Sequence, residues 1–187
     1  MNLTHTINKR FASKHVVLFI CLAFTFQSCF EIKPKPVALP EATQTGANTF
    51  GCKVNGEIWV ANGNSNYRSI ESPSYNTETG NFGFDGWNTK DFEGRVYVAV
   101  SCNNCFGVGV YTDMYPYSEY FLGSIGNIVQ GGGHLDTSGT SMVEITQFDL
   151  ENRIISGTFE YDLYDKTNGQ KIKITEGRFD LSGVYVF

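Results

Sequence analysis

The residues with the clearest capacity for chemistry are five cysteines and one histidine that stands apart from the chain's beginning. Cys102 and Cys105 have the Cys-x-x-Cys spacing of one zinc knuckle, and Cys52 with His134 would complete a Cys3His set. No second knuckle accompanies them, and outside a reducing compartment these thiols have a better use in a disulfide, so no metal is expected. His134 is the one candidate base for a Ser/His/Asp or Cys/His arrangement. It would need Asp136 to orient it, and it stands beside Gly131, Gly132 and Gly133 with no Gly-x-Ser-x-Gly elbow anywhere in the chain. Asp162, Asp165 and Asn168 do not follow the order of a calcium loop and read as a solvated hairpin tip. No cofactor is implied.

Aromatic residues are the other candidates. Tyr111, Tyr115, Tyr117, Tyr120 and Phe121 crowd one stretch, and Trp87 and Trp59 lie upstream. Rings displayed on a surface stack on sugars or peptides, which makes Tyr111, Tyr115, Tyr117, Tyr120 and Trp87 the candidate binding residues. Rings of this kind also fill β cores. Asp113 and Glu119, near the same stretch, are the carboxylates that a hydrolase would pair.

The elements that must position these groups are strands. With 15 Phe, 10 Tyr and 20 Gly in 187 residues, the composition favours pleated, half-buried surfaces, and no window sustains a helical period. Asn55-Gly56 closes a hairpin of Thr49–Val54 and Glu57–Ala61, because both residues accept the positive φ of a type I′ turn. Short strands follow near 67–71 and 81–85, with a turn around Pro73. Glu93–Ser101 alternates clearly, Val96, Val98 and Val100 against Tyr97 and Ala99, and should be central. Cys105–Thr112 continues as a strand with Phe106, Val108 and Val110 on one face. Ser141–Leu150, Ile154–Tyr164, Gln170–Thr175 and Gly177–Val186 complete eight to ten antiparallel strands. The expected class is all-β, an antiparallel sandwich, with a barrel as the alternative. If Asn103-Asn104 is the turn between two paired strands, Cys102 and Cys105 face each other with Cα atoms about 5.5 Å apart, close enough for a disulfide. The rival pairing joins Cys52 to one of them.

Residues 1–28 have the layout of a signal peptide. Lys9, Arg10 and Lys14 precede the apolar run Val16–Phe26, which is too short to span a membrane. Its Ser28-Cys29 end resembles the lipobox of bacterial lipoprotein signals, which implies lipidation at Cys29 and a membrane partner through that anchor. Residues 29–48, with Lys33-Pro34-Lys35-Pro36, read as an extended tether, and 49–187 as one β domain. Beyond the signal there are 11 basic and 19 acidic residues, a net −8, which argues against nucleic acid and against adhesion to anionic lipid. No acidic run follows Cys29, which favours the periplasmic side of the envelope over the cell surface.

Two stretches together, LPEATQTGANTFGCKVNGEIWVA (Leu39–Ala61) and the segment Ile145–Leu181 containing SGTFEY and ITEGRFDL, resemble a family of uncharacterised Bacteroidota-type envelope lipoproteins. The resemblance covers about a third of the chain. It implies an envelope-anchored β domain and carries over no catalytic residue; Gly51, Cys52, Trp59, Gly157 and Arg178 match as structural positions. The expected function is a binding or scaffolding module for a glycan, a peptide or an envelope protein. The alternative is a small envelope hydrolase using a carboxylate pair.

Overall fold

The computed structural model describes residues 38–63, 69–89, 95–114, 120–123, 133–165 and 169–187. The chain divides into Met1–Pro34 and a compact unit, Lys35–Phe187. The signal, Cys29 and the first part of the tether lie outside the described residues.

The strands are β1 (Thr49–Val54), β2 (Glu57–Val60), β3 (Ile70–Tyr75), β4 (Phe82–Asn88), β5 (Arg95–Cys102), β6 (Gly109–Tyr111), β7 (Tyr120–Gly123), β8 (Gly133–Leu135), β9 (Ser141–Asp149), β10 (Ile154–Asp165), β11 (Lys171–Leu181) and β12 (Tyr185–Val186), with no helix among the described residues. Seven form a sheet in the order β2-β1-β11-β10-β9-β6, with β8 also on β10, and five form a second sheet, β12-β3-β4-β5-β7. The two pack as a β-sandwich and do not close into a barrel. The described residues hold twelve strands where eight to ten are expected, and among their pairings that of β12 with β3 is parallel.

Sequence chemistry explains the principal pairings. Asn55 and Gly56 take φ of 50° and 87°, and the turn they make sets β1 against β2 with Cys52 opposite Trp59. Gly157-Thr158-Phe159 and Gly177-Arg178-Phe179 repeat a Gly-x-Phe pattern on the neighbouring strands β10 and β11. The register places Gly157 opposite Phe179 and Gly177 opposite Phe159. Each ring thus fills the space that its partner glycine leaves open. A Cβ on Gly177 would come within 2.5 Å of the Phe159 ring, and one on Gly157 within 2.1 Å of the Glu144 carbonyl oxygen. The two strands expected on either side of Glu176 are one strand, β11. It is bulged where Glu176 adopts φ of 51°, and there Lys53 pairs with the Glu176 carboxylate at 2.5 Å. Pro73 lies inside β3 instead of in a turn, at a second bulge where Ser72 has φ of 51°; a proline is tolerated there because the ladder is already broken.

Between the sheets lies an aromatic core. Phe50 meets Trp59 and Phe84 edge-on at 5.0 and 4.9 Å, and Phe179 lies 4.9 Å from Phe84, so rings from both sheets form one contact network. The buried Tyr161 hydroxyl crosses the core to donate to the Ala99 carbonyl at 2.8 Å, tying β10 to β5.

The last part of the expected tether is folded onto the larger sheet. The Asp180 carboxylate, on a residue only 1% exposed, accepts from the Thr43 hydroxyl (2.6 Å), the Ser156 hydroxyl (2.7 Å) and the backbone N–H groups of Thr45 (3.0 Å), Gly46 (2.8 Å) and Ala47 (3.0 Å). Arg178 donates to the Pro40 carbonyl at 3.3 Å, and Asn48 exchanges hydrogen bonds with Ser182 at 2.6 and 2.8 Å. Residues 38–48 are therefore a strap bonded to β10 and β11. Burial works to raise the pKa of Asp180, but the donors from Ser156, Thr43, Ala47 and Thr45 outweigh it and hold the carboxyl well below the usual range.

Two outcomes follow. Asp180→Asn places an N–H₂ where several donors converge and should cost about 3 kcal/mol or more in urea unfolding at pH 7. Because Asp180 binds its proton less tightly folded than unfolded, its contribution is complete above the unfolded carboxylate value near ~4 and is lost as the pH falls through that value toward the depressed native one. The variant's deficit should therefore shrink below pH ~4; a deficit independent of pH would show that the charge is not what holds the strap. Gly157→Ala should cost at least about 2 kcal/mol in the same assay, through the forced approach to Glu144.

Candidate functional site

Alternation along β4 separates core from surface. Phe82, Phe84, Gly86 and Asn88 are buried, while Gly83, Asp85 and Trp87 between them are half-buried on the outer face. The register then brings neighbours alongside. Glu71 of β3 and Ala99 of β5 stand directly opposite Asp85, and Tyr97 of β5 stands opposite Trp87. The Trp87 and Tyr97 rings lie 4.8 Å apart at 57°. A carboxylate pair and an aromatic pair thus occupy adjoining rows on the outer face of the smaller sheet.

The electrostatics of this face differ from those around Asp180. Partial burial, and secondarily the charge of Glu71, push the Asp85 carboxyl up to about 6. Like charges set directly opposite on a sheet are destabilising, with side chains about 5 Å apart at Cβ. A carboxylate kept where it costs stability is the pattern of a group retained for recognition or proton transfer.

A groove of about 430 Å³ is lined by Ser69, Ile70 and Pro73 together with Asn48, Ser182 and Gly183, and it is distinct from the outer face, because Ile70 packs toward the core where Glu71 stands opposite Asp85. Glu71 lies between the lining residues of β3. The volume is within the range of small-ligand sites, and the lining is neutral.

The residues singled out in the sequence are dispersed. Tyr111 lies on β6 in the larger sheet, half-buried, with its hydroxyl donating to the Gly107 carbonyl at 2.8 Å, so it shares no surface with Trp87. Tyr120 pairs with Val98 by backbone register. Tyr115, Tyr117, Glu119 and Asn168 lie outside the described residues. Asp113 is exposed and accepts from the Asn104 side-chain amide at 3.1 Å. The Asp136 carboxylate is bonded to Lys171 at 2.8 Å and to Ser138, which hold it down at about 2. His134 pairs with Tyr164 through the backbone of β8. No metal-ligating cluster occurs among the described residues.

Cys102 and Cys105 are joined by a disulfide with Cα atoms 6.5 Å apart. The hairpin expected to bring them together is absent. β5 pairs with β4 and β7, whereas the chain beyond Cys105 crosses to the other sheet, where Gly109–Tyr111 pairs with β9. The expected strand Cys105–Thr112 shrinks to those three residues. The bond therefore braces a corner between sheets, and Asn104 at φ of 54° helps turn it. Cys52 is a free thiol at the centre of the core, and burial pushes its pKa far up, so it is inert as a nucleophile or ligand.

Asp85 and Tyr97 were not legible as site residues, although the alternation in FGFDGWN marks Asp85 as outward. Its partner Glu71 is fourteen positions away and visible only through the register.

Asp85 supplies a test with a sign opposite to that of Asp180. Its proton is bound more tightly folded than unfolded, so the associated stability is present below pH ~4 and lost as the pH rises through about 6. Asp85→Asn should therefore be more stable than the wild type at pH 7, by about 1–2 kcal/mol after discounting for solvent screening, and equal to it near pH 3.5. Carboxyl titration by NMR returning an ordinary value for Asp85 would remove the basis for the site.

No protein-family model, no curated protein and no solved structure matches this chain, and the site stands on its own geometry.

Proposed function

We propose that the protein is a lipid-anchored module of the cell envelope, held to a bacterial membrane through Cys29 on the periplasmic side, that binds a glycan on the outer face of its smaller sheet. The observation that carries the binding reading is the adjoining pair of rows, Trp87 with Tyr97 and Asp85 with Glu71. Rings offer a face for stacking on a sugar, and carboxylates accept from its hydroxyls. Both sit on strands of a braced sheet, which keeps the arrangement rigid before binding and lowers the ordering cost. The anchor rests on the basic start, apolar run and Ser28-Cys29 end of the leader. A peptide would meet the same face through similar contacts and is separated from a glycan by the ligand panel itself.

A second reading is a small hydrolase, favoured by one observation: burial, and secondarily Glu71 opposite, push the Asp85 carboxyl up to about 6, the direction a general acid requires. Opposed residues on neighbouring strands have Cβ atoms ~5 Å apart, which puts both carboxyls within reach of one bound sugar.

The test is a glycan panel screened with the purified domain. Trp87→Ala and Tyr97→Ala should each weaken binding of any hit about tenfold, the loss of one stacking contact, while the near-ultraviolet dichroism of the core is kept. Binding unaffected by both changes would eliminate this face. Turnover of a bound glycan that disappears in Asp85→Asn with binding intact would favour the hydrolase. Cys29→Ala should release the protein from the membrane fraction, and equal fatty-acid labelling of that variant would refute the anchor.

A further inference from the structure

Exposed apolar side chains gather around one turn of the sandwich. Phe106 is 59% exposed, Val108 67%, Tyr185 65% and Phe187 55%. Phe106 and the Tyr185–Phe187 pair come from two distant parts of the chain and flank the Asn76–Gly80 turn between β3 and β4, which the Gly80 N–H closes on the Asn76 carbonyl at 2.9 Å. On one side, the Phe106 ring covers Gly80 so closely that a Cβ there would come within 2.8 Å of it, and the Cys105 N–H donates to the Gly80 carbonyl at 2.8 Å. On the other, the Thr77 N–H and hydroxyl donate to the main-chain carbonyl of Phe187 at 2.8 and 3.1 Å, and the Phe187 ring stacks on Tyr185 with centroids 5.5 Å apart. Three rings thus flank a single turn, Phe106 presented by a disulfide-braced corner and Tyr185 with Phe187 by an edge strand.

The charge of the rim narrows what it can meet. Glu78 is the one charged residue in 76–80, 105–111 and 185–187, and no Lys or Arg occurs there. An anionic surface has nothing to attract, whereas the uncharged interfacial zone of a bilayer accommodates rings of this kind, tyrosine above all. Chain length supplies the proximity. From Cys29 to Ala38, where the described domain begins, nine residues extend no further than about 30 Å, so an anchor at Cys29 keeps the domain within that distance of the bilayer.

We infer that the Phe106, Tyr185 and Phe187 rim is a second membrane contact that docks into the interface of a zwitterionic bilayer and fixes the orientation of the anchored domain. This rests on the reading of Cys29 as the lipidated residue.

The test compares the full lipidated chain in phosphatidylcholine vesicles with the Cys29→Ser chain free in solution, by vesicle flotation and amide hydrogen exchange. The wild type should float, and amides in 76–80 and 105–108 should exchange at least about tenfold more slowly on vesicles. The double variant Phe106→Ser/Phe187→Ser should still float and lose that slowing. A wild type that does not float refutes the anchor and this inference together. A wild type that floats with unslowed rim amides refutes the rim alone. Slowing that appears without vesicles as protein concentration rises would show that a second copy covers the rim, and would also overturn the inference.

Discussion

The carboxylate of Asp180 is the point at which the strap, β10 and β11 converge. Six donors spread over Thr43–Ala47 and Ser156 converge on it, so the strap, β10 and β11 share one ion. Burying a lone carboxylate is expensive, and three of the donors are backbone N–H groups that would otherwise need partners of their own. Charge and strap therefore require each other. Gly46 is fitted to the arrangement: it takes φ of 73°, and a Cβ there would press within 2.9 Å of Ser182. The strap residues TGAN and the strand residues RFDL, which stand out in the sequence as a matched pair of motifs, are thus the two halves of one contact.

Asp85 shows the converse use of the same functional group. With half-burial, a like charge opposite and no comparable cage of donors, it is pushed up where Asp180 is pushed down. The division follows the architecture. The larger sheet carries the strap across its outer side, bonded to Asp180. The smaller sheet leaves Trp87, Tyr97, Asp85 and Glu71 on an outer face whose backs are fixed by Phe82, Phe84, Val98 and Val100.

Local chemistry was readable in the sequence, and long-range partnership was not. Asn55-Gly56 announced the first hairpin because two positive φ angles in a row have few other residues to make them. The alternation in VYVAV marked β5 as central, and Val98 and Val100 are buried there. The destination of the chain after Cys105 was misread, because an Asn-Asn turn between two alternating stretches resembles a hairpin whether or not the stretches pair. β7, β8 and β12 are too short to display a period, which is why the strand count came out low. Bulges at Ser72 and Glu176 hid the continuity of β3 and β11, since an extra residue shifts the alternation by one. For the site, a carboxylate's environment is set by what the register places opposite it, and no single strand records that.

The strap has a mechanical consequence. Tension applied at Ala38 from the preceding chain does not begin by peeling the edge of a sheet. It meets first the Arg178 contact to Pro40 and then the cage around Asp180, which sits on β11 with β1 on one side and β10 on the other. Several hydrogen bonds to one carboxylate must yield before load reaches the β1 ladder, and they connect to interior strands of the larger sheet. Load entering at Ala38 thus passes to interior strands, and the outer strands, β12 among them, are spared it.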